Sequence, residues 1–172
     1  MNMNAEDLKR ITPEEFEAMP KNDHCKYELI DGIVMMTPSP SFEHQVVGVN
    51  LISEFRAALK STDCRVLYEY DIKFHGDIYK PDLMVFCKNR DAMPPDIIIE
   101  ILSPSTRRRD LTLKLFKYEA MGIKEYWIVD PKTLTVTVHD FVHGTAEGYT
   151  SGEVIQSLAH PEIIVAVNDV FA

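Results

Sequence analysis

Two carboxylates stand where a carboxylate is costly. Asp82 lies in Tyr79-Lys80-Pro81-Asp82-Leu83-Met84-Val85-Phe86, and Glu100 lies in Asp96-Ile97-Ile98-Ile99-Glu100-Ile101-Leu102. Each run is apolar enough to be a strand covered on both faces. A buried carboxylate without a counter-charge costs several kcal/mol or takes up a proton. Two of them on consecutive strands point to a shared cation. The competing structural reading makes Asp82 a strand-end residue satisfied by local hydrogen bonds, and Glu100 one half of a buried ion pair.

The basic residues that follow bear on the same chemistry. Glu100 lies about three residues before the turn Ser103-Pro104-Ser105, ~10 Å at ~3.3 Å per strand residue. Lys114 lies nine residues after Ser105, ~13 Å at ~1.5 Å per helical residue. A helix packed back on the strand brings the two to similar height. The plainer alternative for Lys114 is an exposed i,i+4 partner of Asp110. Tyr118 shares its helix face and is expected to pack in the core. Arg107-Arg108-Arg109 puts positive charge in a first helical turn, against the helix dipole. It is either solvated or compensated by an anion such as a phosphate. His139 and His143 have a metal-ligand spacing for a helix, but they sit in Thr135-Val136-Thr137-Val138-His139-Asp140-Phe141-Val142-His143-Gly144, which reads as strand and turn, so the metal reading is set aside.

The elements that must position these groups come from the pattern of the whole chain. Its 172 residues, 45% hydrophobic and 26% charged, predict a single domain over 1-172 with a substantial core. Thr12-Pro13-Glu14-Glu15 opens a short helix with a capping box, stopped by Pro20. Asp31-Gly32 between Tyr27-Glu28-Leu29-Ile30 and Ile33-Val34-Met35-Met36 signals a two-residue hairpin. Residues 42–60 read as a helix whose stripe includes Val47, Leu51, Phe55 and Leu59. Residues 65–74 alternate as one strand. Asn89 to Pro95 reads as a loop. Ser105 or Thr106 caps the helix that Gly122 ends. Strands follow at 125–129 and 134–141, with one or two more after Gly148. Short connections predict an antiparallel meander, and the helical crossover predicts a parallel strand after it. The fold class is α/β, a mixed β-sheet flanked by helices, with an extra N-terminal hairpin and C-terminal strands.

Composition sets further limits. The formal charge of −9 argues against a general electrostatic grip on nucleic acid, so such binding needs a local basic patch and metal ions. Cys25, Cys64 and Cys87 form no CxxC pattern and read as reduced thiols that pack. The start Met1-Asn2-Met3-Asn4-Ala5-Glu6-Asp7 has no signal-peptide pattern, and no apolar run approaches a membrane span. A cytoplasmic protein without membrane contact is expected.

Pro81-Asp82 followed a strand later by Glu100 is similar to the paired acids of the PD-(D/E)XK nuclease superfamily. Tyr27-Glu28-Leu29-Ile30-Asp31-Gly32, His44, Pro81-Asp82, Glu100-Ile101-Leu102-Ser103-Pro104-Ser105-Thr106, Asp110 with Lys114 and Tyr118, and Gly122-Ile123-Lys124-Glu125-Tyr126-Trp127 together resemble the Uma-type restriction endonuclease family. The resemblance spans roughly residues 27–140. It implies a restriction-endonuclease-like fold and metal-dependent hydrolysis of phosphodiester bonds, with DNA the expected substrate. Cutting a duplex takes two cuts, and one site per small domain together with the alternating, partly apolar segments after Leu134 as a sheet edge predicts a homodimer. The superfamily's lysine two residues after the second acid is here Leu102, and the Uma-type pattern moves that lysine to the next helix, where Lys114 fits. The resemblance thus implies Asp82, Glu100 and Lys114 as catalytic residues. Asp82, Glu100 and the carbonyl of Ile101 would hold Mg²⁺ or Mn²⁺. Glu28 and His44 would assist, Glu28 as an alternative to an outward strand residue and His44 as an alternative to a surface residue. Two other readings stay open. One is an inactive nuclease-like module that binds nucleic acid or a protein partner. The other is a sugar or nucleotide hydrolase that uses two carboxylates and no metal.

Overall fold

The computed structural model describes residues 9–87 and 94–172. The start Met1 to Asp7, which carries no signal-peptide pattern, and most of the loop expected from Asn89 to Pro95 lie outside the described residues. In chain order the elements are α1 (Pro13–Ala18), β1 (Cys25–Ile30), β2 (Ile33–Pro38), α2 (Phe42–Ala58), β3 (Arg65–Tyr68), β4 (Ile72–Phe74), β5 (Asp77–Tyr79), β6 (Leu83–Phe86), β7 (Ile97–Ile101), α3 (Arg107–Leu111), α4 (Leu113–Met121), β8 (Glu125–Asp130), β9 (Thr135–Asp140), β10 (Thr145–Tyr149), β11 (Val154–Gln156), β12 (Ile164–Ala166) and α5 (Val167–Val170). They group into two compact units, one of the residues up to Ser39 with Asp71–Lys80, the other of Pro40–Tyr70 with the residues from Pro81 onward.

The first unit is a four-stranded antiparallel sheet in the order β2-β1-β5-β4, with α1. Thr12 and Glu15 close the capping box expected of α1, each side chain bonded to the other's backbone N–H. Asp31 and Gly32 take φ of 53° and 75°, the positive pair a two-residue hairpin turn needs. Buried Asp77 closes this turn by accepting from the Asp31 N–H at 2.7 Å and from the Tyr79 hydroxyl at 2.6 Å. Burial first, then that hydrogen bond to Asp77, pushes the Tyr79 phenol well above its ordinary pKa.

The second unit holds a six-stranded mixed sheet, β10-β9-β8-β7-β6-β3, and the hairpin β11-β12. Adjacent strands are antiparallel except β7 and β8, which run parallel across the helices α3 and α4. This is the crossover expected from sequence. On one face α2 packs Val47, Leu51, Phe55 and Leu59 against Leu83, Val85, Ile97, Ile99, Ile101 and Trp127, and the C-terminal segment adds Ile155, Ile163, Val165 and Val170. Phe55 meets Trp127 edge to face at 5.1 Å, the geometry that ring quadrupoles favour.

Four expectations need correction. The strand expected from 65 to 74 is two strands in two sheets. Glu69 takes φ of 47°, and its N–H bonds to the Asp82 carbonyl, which ends β3. The helix expected up to Met121 breaks at Thr112, whose φ and ψ of −128° and −77° are not helical. The Thr112 hydroxyl donates to the Arg108 carbonyl at 2.6 Å, a back-bond that bends helices. Thr106 takes the N-cap position of α3 without capping it, because its hydroxyl is turned back onto Ser103. The cysteines also differ from expectation: Cys64 and Cys87 form a disulfide, and only Cys25 among the described residues is free. No helix among the described residues is long and apolar enough to cross a membrane.

Candidate active site

Register brings the two acids together. β6 and β7 pair Leu83 with Ile99 and Met84 with Ile98. One further step of the same antiparallel register sets Asp82 opposite Glu100. Both are buried, at 3% and 2% exposure. Asp82 Oδ2 accepts the Ile101 N–H at 2.8 Å, so the first acid is bonded to the residue that follows the second. The same oxygen lies 3.2 Å from His44 Nε2, which donates to it in the tautomer protonated there. His44 is placed by the first turn of α2, where the Ser41 hydroxyl accepts its backbone N–H at 3.3 Å.

Glu100 is held from the helical side. Lys114 Nζ donates to Glu100 Oε1 at 2.7 Å, and the Tyr118 hydroxyl donates to the same oxygen at 2.8 Å. Lys114 also lies 3.5 Å from Asp110 Oδ1. At 1% exposure it is no surface partner of Asp110. The break at Thr112 starts a new helix, and Lys114 sits in its first turn. A cation there opposes the helix dipole, an unfavourable placement that the two carboxylates offset. Tyr118 both packs and bonds: its ring meets Tyr126 edge to face at 5.1 Å, and Tyr126 in turn donates to the Asp110 carbonyl at 3.2 Å. Leu102, where the superfamily carries its lysine, extends the β7–β8 pairing through its N–H to Val129 at 2.8 Å.

His44, Asp82, Glu100, Ile101 and Lys114 therefore meet within the second unit. Glu28 belongs to the first, where its buried carboxylate accepts the Lys80 N–H at 3.0 Å. Sequence reasoning missed the buried place of Asp110. Its i,i+4 spacing to Lys114 was the available signal, since the two are buried or exposed together. Arg107 is engaged in a 2.6 Å ion pair with Asp130. His143 pairs with Asp140 in the turn after β9, in keeping with a structural role.

The network thus holds three buried carboxylates, Asp82, Glu100 and Asp110, and Lys114 is the only buried lysine or arginine among the described residues. A family model described as "Uma2: Putative restriction endonuclease" matches residues 13–168. The chain belongs to the Uma2 family. No curated protein matches this Uma2 chain. Among solved structures it is similar to a protein from Anabaena variabilis described as a "putative nuclease belonging to DUF820", with a TM-score of 0.81 and 23% identity over 94% of this chain and 97% of that one. At that identity the likeness establishes the fold, a mixed α/β sheet with few helices, as expected from sequence. Family membership supports a nuclease.

Proposed function

We propose that this Uma2 protein is a divalent-metal-dependent endonuclease that hydrolyses phosphodiester bonds in DNA. The observation that carries the proposal is the pair of buried acids at opposed strand positions, one met by His44 and the other by Lys114. The donor set fits a hard cation. Asp82, Glu100 and the Ile101 carbonyl offer oxygen, the ligand that Mg²⁺ and Mn²⁺ take. A bound ion there would supply Lewis acidity toward the phosphate and a water of lowered pKa.

The chain's own side chains would do the rest. His44 and the Ile101 N–H fix the rotamer of Asp82, and Tyr118 and Lys114 fix that of Glu100. Lys114 would orient the attacking water or stabilise charge that develops on the phosphate. Arg108, exposed on α3, would contact flanking phosphate, whereas Arg107 is held by Asp130. No step is assigned to Glu28. Cutting a duplex takes two sites, and β10, which ends the six-stranded sheet, is the edge where a second copy would pair to form a homodimer. The cytoplasm is the expected compartment.

The test is plasmid cleavage during Mg²⁺ and Mn²⁺ titrations, with Asp82→Asn run beside wild type. Cleavage should need one of the two ions, stop on chelation, and vanish in Asp82→Asn while the variant stays folded. Cleavage that survives EDTA or the substitution sinks the proposal. Metal-independent DNA binding without any cleavage would instead favour the binding-module reading. Arg108→Ala should lower the salt dependence of DNA binding by about one in the log–log slope.

A further inference from the structure

A second chemically distinct cluster lies at the far end of β6. β3 and β6 pair Arg65 with Phe86, and the next step of that register sets Cys64 opposite Cys87. The two are joined as a disulfide, with Cα atoms 4.0 Å apart. His160, between β11 and β12, lies against it, its Nε2 3.3 Å and its Nδ1 3.7 Å from Cys87 Sγ. The ligand atoms of all three residues fall within 4.8 Å of one another, each half-buried, and no other such group of three occurs among the described residues. The histidine is fixed from two sides. Its backbone N–H bonds to the Ser157 hydroxyl at 2.9 Å, and its Nε2 lies 3.2 Å from Asp96 Oδ2, whose other oxygen pairs with Lys124 at 2.6 Å.

Two sulfurs and an imidazole are soft to borderline ligands, a set that suits Zn²⁺ and not Mg²⁺. We propose that in the reduced protein Cys64, Cys87 and His160 bind Zn²⁺ at a site separate from the acid pair, and that the disulfide is the oxidised, metal-free form of that site. With Nδ1 turned to the metal, Nε2–H donates to Asp96, the carboxylate–histidine–metal arrangement that sets ring orientation. Three protein ligands leave a fourth position for water. The chemistry balances. A phosphine reductant and one water convert the disulfide to two thiols and phosphine oxide, and Zn²⁺ then displaces both thiol protons. A peroxide oxidant takes two electrons from the paired thiolates, which form the disulfide and release Zn²⁺ as the peroxide becomes two hydroxides. The site would couple metal content to redox state, since a reducing cytoplasm keeps such thiols open.

Cobalt titration tests this independently of nuclease activity, because thiolate ligands give a sulfur-to-cobalt charge-transfer band in the near ultraviolet that carboxylates do not. The full chain is reduced with a phosphine, freed of reductant, and titrated anaerobically with Co²⁺ and then Zn²⁺. The reduced wild type should develop the band at one equivalent and lose it as Zn²⁺ displaces Co²⁺, and the oxidised protein should show none. Cys64→Ser and Cys87→Ser should abolish it, Cys25→Ser should leave it unchanged, and Asp96→Asn should weaken Co²⁺ binding about tenfold. A reduced wild type without the band, or a band that persists in Cys64→Ser and Cys87→Ser, overturns the assignment. The comparison of reduced and oxidised wild type decides the matter even where a substituted chain fails to fold.

Discussion

Glu100 and Glu125 sit on the neighbouring parallel strands β7 and β8, and both are all but sealed from solvent, at 2% and 1% exposure. Their partners differ in kind. Glu125 Oε1 accepts the backbone N–H groups of Leu158 and Ala159 at 2.6 and 2.8 Å, and Oε2 accepts the Trp127 indole and the Ser157 hydroxyl, each at 2.9 Å. All four donors are neutral, and three of them, Ser157, Leu158 and Ala159, tie the C-terminal segment to the sheet. Glu100 is instead met by a buried lysine and a phenol on one oxygen, with a second buried acid opposite. Burial of a carboxylate is thus no signature of chemistry. A carboxylate whose two oxygens are taken by four neutral donors holds the fold, whereas one met by a buried cation beside another acid is the kind the proposed chemistry needs.

That contrast can be broken by experiment. The largest effect is expected at Lys114. Lys114→Met removes the cation from a buried acid and should cost about 3–5 kcal/mol in urea unfolding. Adding Glu100→Gln should recover much of the loss, since the two substitutions share one interaction. If the single variant loses less than about 1 kcal/mol, the ion pair is not what holds Glu100. Glu125→Gln comes next. It removes the charge and sets an amide NH2 against two of the four donors, and should cost about 2–3 kcal/mol, while cleavage per folded molecule stays at the wild-type level. A fall in specific cleavage with unchanged stability would reverse the roles given to the two glutamates.

The smallest effect concerns pH. Burial pushes the Asp130 carboxyl up, but hydrogen bonds from Arg107, Thr133 and the Lys132 N–H more than reverse this and leave it below the ordinary range. Such a group contributes stability that is present above its unfolded pKa of about 3.9 and lost as pH falls through the folded value. Asp130→Asn should therefore be slightly less stable than wild type at neutral pH, by under about 1 kcal/mol because Arg107 is largely exposed, and the gap should close below about pH 4. A gap that widens in acid would contradict this.

Local signals in the sequence carried far. The Thr12 capping box, the Asp31-Gly32 turn, the apolar stripe of α2 and the alternation of β9 are each visible in a few adjacent residues, because the physics that forms them is local. What was hidden depends on partners distant in sequence. The alternation from Arg65 to Phe74 runs unbroken through Glu69, and only the bond from Glu69 to Asp82 shows where the chain leaves one sheet for another. The break at Thr112 replaces no hydrophobic position, so periodicity is blind to it. Cys64 and Cys87 are 23 residues apart and become opposed only once the β3–β6 register exists. In the candidate site, the paired acids stood out as charges in apolar strands. Lys114 did not, because helical spacing gives the same pattern to a buried lysine and to a solvated one.

The excursion of the chain between β3 and β6 has a consequence for synthesis. β1 and β2 leave the ribosome before the other described strands, yet β1 has β5 on its other side, with Leu29 paired to Ile78. The hairpin therefore presents an open strand edge until the residues from Ser39 to Tyr79 have been made, a wait that spans α2, β3 and β4. A chain cut after Ser39 would keep the hairpin and lack the strand that covers it. The N-terminal strands are no detachable tag, and fusion or truncation boundaries placed there would yield a fragment prone to pair with other chains.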